Sequence, residues 1–425
     1  MAGNYVVAVQ APAYPVSPTE FATESAFAEH LKELRRSIGP SFARLVLIAP
    51  RLSEDDYATH KHHLGTVSLE HDDVLFIPAH PVSVSAMRFW LCHARAIWQQ
   101  VKEAVRDAGV VHSGMSTDLW RPLMAMVNFA AWRAGRPVVF FVDIDFRQHS
   151  RRFYETGRWS FSFYLINRLV YDPIKWLQVW LAPRMFQLVM LKSASLVRDF
   201  GRGRPNVKNF YDTAHSFDDV LPDSALDERM AWMREPGRPL QLVYFGRFAS
   251  NKGLDRAIEA VRLARIQGED LRLCLIGAGD CQTALERQVA EADLGHVVTF
   301  KPQVRYGKTL FEQLRQAHLS IATPLIEDTP RAAFDSLAQG IPIVAFDITY
   351  FRDLAQGSGA VALADWPHAQ SMAHQLVTLS RDRERLAAMA SRGVAFARDN
   401  TQAAWLERRT QWMLEFALPP PKSHA

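Results

Sequence analysis

The sequence predicts an α/β protein made of two doubly wound parallel-sheet domains that face each other across a cleft. Three observations carry this. The chain has 425 residues, more than the ~250–300 at which a single hydrophobic core stops growing. Short apolar runs alternate with helix-periodic stretches along most of the chain, as strands buried on both faces of a parallel sheet require. A polar, proline-containing stretch, 221–239, interrupts that alternation, which then resumes with sharper glycine punctuation. The expected division is therefore a domain over 1–220, a linker over 221–239 and a domain over 240–400.

In the first half the predicted strands are Tyr5–Ala11, Arg44–Ala49, Val74–Ile77, Val110–Val111 and Pro137–Val142. A loop with Pro12, Pro15 and Pro18 follows the first strand, and helical spacing covers Glu24–Ser37, Ala86–Ala108 and Leu123–Ala134. In the second half the strands are Leu240–Phe245, Leu271–Ile276, Val297–Phe300, Leu319–Ala322 and Pro342–Phe346. Helices are expected over Leu254–Gln267, Cys281–Ala292, Leu310–Ala317, Arg331–Gln339 and most of Ala369–Arg398. Segment 150–200 is rich in aromatics and arginines and reads as helical. Either it is a core-packing helix pair with basic ends, or it is a surface resting on lipid head groups.

Composition narrows the function classes. Hydrophobic residues at 48% and charged residues at 22% mark a globular chain rather than a disordered one. A net charge of +4 is too small to predict nucleic-acid binding, and it allows an anionic substrate or a membrane surface. The three cysteines, Cys92, Cys274 and Cys281, form no C-x-x-C pair. That argues against a disulfide framework or zinc site and for a reducing cytoplasm. The opening MAGNYVVAVQAP lacks a basic n-region and a long apolar core, so no signal peptide is expected. No apolar run reaches the ~18 residues of a bilayer span; Trp176–Leu191 comes nearest and is broken at Pro183-Arg184.

Three constellations carry chemistry. Gly246-Arg247-Phe248-Ala249-Ser250-Asn251-Lys252-Gly253 lies between a strand and a helix. Ligands of open α/β sheets bind beyond the carboxyl ends of strands. There Gly246 admits close backbone approach, Arg247 offers a fork of donors and Lys252 a compact charge. Basic strand–helix loops are equally often only solvated. Leu275-Ile276-Gly277-Ala278-Gly279-Asp280 is a second strand-to-glycine turn, explained as well by a tight turn. Glu327-Asp328-Thr329-Pro330-Arg331, running through Asp335 into Gly340-Ile341-Pro342, is the third. Pro330 suits a first helical turn, whose amides and positive end attract a diphosphate; acidic residues there also serve as plain caps.

In order and spacing the three together resemble the retaining glycosyltransferase family four of the two-Rossmann, GT-B type fold, with its G-R-x4-K-G and E-x7-E motifs, here Glu327-x7-Asp335. The resemblance is clear over 240–354 and weaker back to Lys208–Asp212. It implies a glycosyltransferase that moves a sugar from a nucleotide-diphosphate sugar to a glycan or lipid-linked acceptor. Arg247 and Lys252 then bind and stabilise the leaving diphosphate, Glu327 contacts the donor sugar and Asp335 holds the ribose. Gly246, Gly277, Thr329 and Arg331 complete the donor site. The nucleotide sugar is a substrate; no cofactor and no metal is implied, because the basic residues replace the metal. Residues 402–418 are expected to cross back onto the first half, as in such transferases. The resemblance also implies retention, with the leaving phosphate accepting the acceptor's proton. The setting is the cytoplasm, at the inner face of the membrane if 150–200 is a lipid-contacting surface.

The chain departs from the family in three places. Asp335 replaces a glutamate, Asp328, Thr329 and Arg331 replace a glycine-rich loop, and 14–20 lacks the usual glycine pair. Asp143, after the Pro137–Val142 strand, stands near the family's histidine. It is either a carboxylate that orients or deprotonates the acceptor, which would bring inversion into play, or a cap for the following segment. His112 reads as structural. A nucleotide-sugar epimerase, a phosphorylase and a non-catalytic scaffold remain as alternatives, and the sequence leaves the oligomeric state open.

Overall fold

The computed structural model describes residues 3–39, 41–61, 64–235 and 237–418. Its strands are β1 (Asn4–Ala8), β2 (Tyr14–Pro15), β3 (Glu20–Glu24), β4 (Leu45–Arg51), β5 (Leu64–Ser68), β6 (Val74–Pro81), β7 (Ala108–Gly114) and β8 (Val138–Val142). They continue with β9 (Leu188–Leu191), β10 (Val207–Asn209), β11 (Leu240–Phe245), β12 (Leu271–Ile276), β13 (Val298–Lys301), β14 (Leu319–Ala322), β15 (Ile343–Phe346) and β16 (Val361–Ala364).

Two parallel sheets hold most of them. The first runs β10-β9-β8-β7-β1-β4-β6, the second β13-β12-β11-β14-β15-β16. Counted within its own half, each begins 3-2-1-4-5-6, the doubly wound Rossmann order. Strand interiors such as Val6, Leu47, Val111, Leu242 and Val344 are sealed on both faces, which accounts for their continuous apolar runs.

Some expectations need correction. The proline loop after β1 contributes to a small antiparallel sheet, β2-β3-β5. Segment 150–200 is not helical throughout: after the helix Asp172–Met185 the chain forms β9, whose LVML is buried at every position. Stretch 221–239 contains the helix Asp223–Arg234, which buries Leu226, Arg229 and Met233 at helical spacing. Arg229 earns its burial by donating from Nε to the Gly340 carbonyl at 2.6 Å and from Nη1 to that of Arg315 at 2.8 Å.

The last helix, Gln402–Ala417, packs on the first half. Trp405 is buried against Tyr211, with ring centroids 5.5 Å apart, and its indole N–H reaches Asn400 Oδ1 at 3.1 Å. Arg409 donates to Asp212 Oδ1 at 2.8 Å. Trp405→Ala is expected to cost about 3–5 kcal/mol, the range for a buried large-to-small change. Urea unfolding should show a lower midpoint with unchanged slope, and a loss under 1 kcal/mol would deny the helix this role.

Candidate active site

Strand order reverses between β11 and β14 in the second sheet, and a crevice opens at their carboxyl ends. Loop 246–253 follows β11 and loop 323–331 follows β14. Thr323 Oγ1 donates to the Lys252 carbonyl at 3.0 Å, and Leu325 N to that of Asn251 at 2.9 Å, so the loops are laced together. Gly253 is required there: its φ is 61°, and a Cβ would stand 2.2 Å from the Thr323 carbonyl oxygen. Gly277 has φ 150° and a Cβ there would lie 2.0 Å from the Gly246 oxygen, so it allows the two glycine turns to touch.

A cavity of about 210 Å³ results, lined by Gly246, Arg247, Lys252, Asp328 and Arg331 among others. The first and third constellations thus converge, Lys252 meeting Asp328 from 76 residues away. Thr329 faces a different, larger cavity, and Glu327, Asp335 and Gly277 line neither. Arg247 and Arg331 are exposed, and neither guanidinium has an ion-pair partner among the described residues.

The other charges are already engaged. Lys252 Nζ meets Asp328 Oδ2 at 2.5 Å. Glu327 is buried and is paired with Arg152, itself buried, from the helix His149–Glu155 of the first half. Glu327 Oε1 also accepts from Thr349 N at 3.3 Å and Thr349 Oγ1 at 3.1 Å. Burial pushes the Glu327 carboxyl above its ordinary range and the Arg152 guanidinium below its own, each opposed by the partner's charge. Asp335, on the helix Ala332–Ala338, accepts from Tyr306 Oη at 3.0 Å, and burial pushes it up to about 7.

In the first sheet the order reverses between β1 and β7. The crevice there belongs to a cavity of about 1060 Å³ that both halves line, Thr329, Pro330 and Arg331 from the second. Asp143 stands exposed at it with no hydrogen bond among the described residues. The neighbouring Asp145, not Asp143, is the buried carboxylate: it grips Arg147 from Nε at 2.9 Å and accepts the Arg147 amide at 3.0 Å. His112 stacks on Phe141 with centroids 4.0 Å apart, and burial holds its ring neutral, down at about 3. Trp159, Phe163, Asn167, Tyr171 and Lys175, spaced by four, line the same cavity. Phe161, Leu165, Ile166, Leu169 and Val170 of that stretch are exposed.

Residues 228–395 match the family described as glycosyl transferases group 1. The amylovoran biosynthesis glycosyltransferase AmsK of Erwinia amylovora is 31% identical over 149 residues, 34% of this chain and 37% of that protein. The putative colanic acid biosynthesis glycosyltransferase WcaL of Salmonella typhimurium is 28% identical over 38% of this chain and 41% of that protein. The chain thus spans about two fifths of the length of these curated relatives. Anabaena Alr3699/HepE, solved in complex with UDP, superposes with a TM-score of 0.61 at 16% identity, covering 98% of this chain and 100% of that one. WaaG, a glycosyltransferase involved in lipopolysaccharide biosynthesis, gives 0.60 at 12% identity over 96% and 98%. These likenesses carry the fold: two Rossmann-like domains facing each other in the GT-B arrangement.

Arg152, Thr349 and Tyr306 contact candidate site residues and were not singled out from the sequence. Asp328 sits inside the third motif and Arg152 in the arginine-rich segment. Nothing in the local sequence joins Arg152 to a carboxylate 175 residues away. Among the described residues no group of three or more His, Cys, Asp or Glu side chains is arranged to hold a metal, and no helix is long and apolar enough to cross a membrane.

Two outcomes follow. Arg152→Met strands a buried carboxylate and is expected to cost about 3–5 kcal/mol, whereas Arg152→Met with Glu327→Gln costs markedly less; equal losses in urea unfolding would contradict a buried pair. Asp335 keeps its proton up to about 7 in the fold but only to about 4 when unfolded. The folded state therefore binds the extra proton between these values, and stability falls as pH rises through them. Asp335→Asn should remove that decline, so its Tm advantage over the parent protein grows from pH 4 to pH 7 and then levels off. A constant difference would exclude a raised carboxyl.

Proposed function

We propose that this protein is a glycosyltransferase that moves a sugar from a nucleotide-diphosphate sugar to a glycan or lipid-linked acceptor, with retention and without a metal. The observation that carries this reading is the meeting of loops 246–253 and 323–331 at the β11/β14 reversal, where Arg247, Lys252 and Arg331 border one small cavity. In the transfer, the bond from the anomeric carbon to the diphosphate oxygen breaks and charge grows on that oxygen. Arg247 and Lys252 stabilise it, being donors set in place before the charge develops. Glu327 contacts the sugar after exchanging Arg152 for sugar hydroxyls, and Asp335 binds the ribose in place of Tyr306. Residues 1–220 with the returning helix form the acceptor side, 240–400 the donor side.

The large facing cavity takes the acceptor. Asp143, free at its wall, orients the acceptor hydroxyl; if it removes the proton instead, the product anomer is inverted, which NMR of the product decides. Segment 150–200 rests on the inner membrane face, in line with its exposed Phe161, Leu165 and Leu169; vesicle sedimentation finding no binding at low salt would contradict it. The internal partners of Lys252, Glu327 and Asp335 favour one second reading, a non-catalytic scaffold.

A thermal-shift screen of nucleoside diphosphates and nucleotide sugars tests the donor site. It should begin with uridine nucleotides, since the structural neighbour Alr3699/HepE was solved with UDP. A base-selective rise in Tm is expected, lost in Lys252→Ala, with a sugar-dependent part lost in Glu327→Ala. No stabilisation by any nucleotide, together with no donor hydrolysis, leaves the scaffold reading.

A further inference from the structure

Thr349, which holds Glu327, also lines a third cavity of about 440 Å³ that the donor and acceptor readings leave unused. Five arginines line it: Arg147, Arg151, Arg168 and Arg198 from the first half and Arg352 from the second. Three carboxylates share the lining, Asp145, Asp172 and Asp199, so guanidiniums outnumber carboxylates there, the partners of Arg151 and Arg352 standing outside it. Asp145 is taken up by Arg147, whose Nη2 lies 2.6 Å from Oδ2. Asp199 lies between Arg147 and the Arg198 Nε at 3.2 Å. Asp172 accepts from Ser150 Oγ at 2.9 Å and stands 3.7 Å from Lys175 and 3.9 Å from Arg168.

The remaining arginines are held loosely. Arg151 pairs with Glu155 at 2.7 Å and Arg352 with Asp347 at 2.8 Å, both at the surface. Such pairs contribute about 0–1 kcal/mol and exchange readily. Arg168 and Arg198 are 59% and 71% exposed, so both can swing onto a ligand. Between residues 156 and 198 the only carboxylate is the buried Asp172, and the exposed Asp199 beside Arg198 is shared with Arg147.

We propose that this cavity binds a phosphate group, clamped between the two halves. Guanidinium forks match phosphate oxygens in geometry as well as charge, and several converging forks are the usual means of holding one. A phosphate contacting Arg168 and Arg198 on one side and Arg352 on the other draws the halves together, in the arrangement that joins Arg152 to Glu327. The phosphate is either free or that of a lipid head group, since Tyr164 and Arg168 of the lining flank the exposed Leu165 and Leu169. Phosphate binding in this cavity is independent of glycosyl transfer.

The test is a thermal-shift titration with inorganic phosphate against chloride at matched ionic strength. It compares the unaltered protein, Arg168→Ala/Arg198→Ala, Arg352→Ala, and Arg247→Ala/Lys252→Ala, which removes the donor-site response. Circular dichroism checks that each variant is folded. A saturable stabilisation is expected that survives in Arg247→Ala/Lys252→Ala and falls several-fold in the other two. Sedimentation with phosphatidylglycerol vesicles against phosphatidylcholine vesicles separates the sources. Phosphatidylglycerol binding that weakens in Arg168→Ala/Arg198→Ala and is competed by phosphate assigns a lipid head group. A phosphate response without vesicle binding assigns free phosphate. The proposal is overturned if neither phosphate nor phosphatidylglycerol gives a response that depends on Arg168, Arg198 and Arg352, or if the phosphate response vanishes only in Arg247→Ala/Lys252→Ala.

Discussion

A doubly wound parallel sheet has one place where its strand order reverses, and the loops leaving the two strands there go to opposite faces and open a crevice. Both sheets of this protein obey that constraint, at β1/β7 and at β11/β14. Everything functional is placed by it. The basic loop 246–253 and the acidic loop 323–331 meet because they leave β11 and β14, and the large cavity reaches the ends of β1 and β7. The halves are fixed face to face by buried contacts that cross between them. Besides Arg152–Glu327, Ser193 Oγ donates to Asp353 Oδ2 at 2.7 Å.

Within that frame the charges are balanced against each other rather than against solvent. Lys252 has Asp328 and Glu327 has Arg152, whereas Asp335 is held by the neutral Tyr306 hydroxyl. A buried charge without a partner costs several kcal/mol, so the buried Glu327 is held by the equally buried Arg152. On the proposed donor reading, a ligand exchanges all three partners by offering a diphosphate, sugar hydroxyls and a ribose. Arg247 and Arg331, exposed and unpaired, are the first groups an incoming anion meets.

The second half was largely legible in the sequence. Its strands are four to six mostly apolar residues, and β14 runs over the expected Leu319–Ala322. The first half was less so. The β2-β3-β5 sheet starts in a proline-containing loop and gains its order from pairing with the distant Leu64–Ser68. The LVML of β9 reads as a continuation of the apolar helix before it, and only its place between β8 and β10 makes it a strand. The helix Asp223–Arg234 buries so few residues that its composition looked like a linker. Of the site, the residues in contiguous motifs were visible, whereas Arg152 was not, because its meaning comes from a partner in the other half.

The most direct test of this account is a crystal structure with a bound nucleoside diphosphate. The account predicts density for the diphosphate between Arg247, Lys252 and Arg331, with Lys252 turned from Asp328 and the ribose at Asp335. A nucleotide found elsewhere, with the Lys252–Asp328, Arg152–Glu327 and Tyr306–Asp335 contacts all intact, would contradict it.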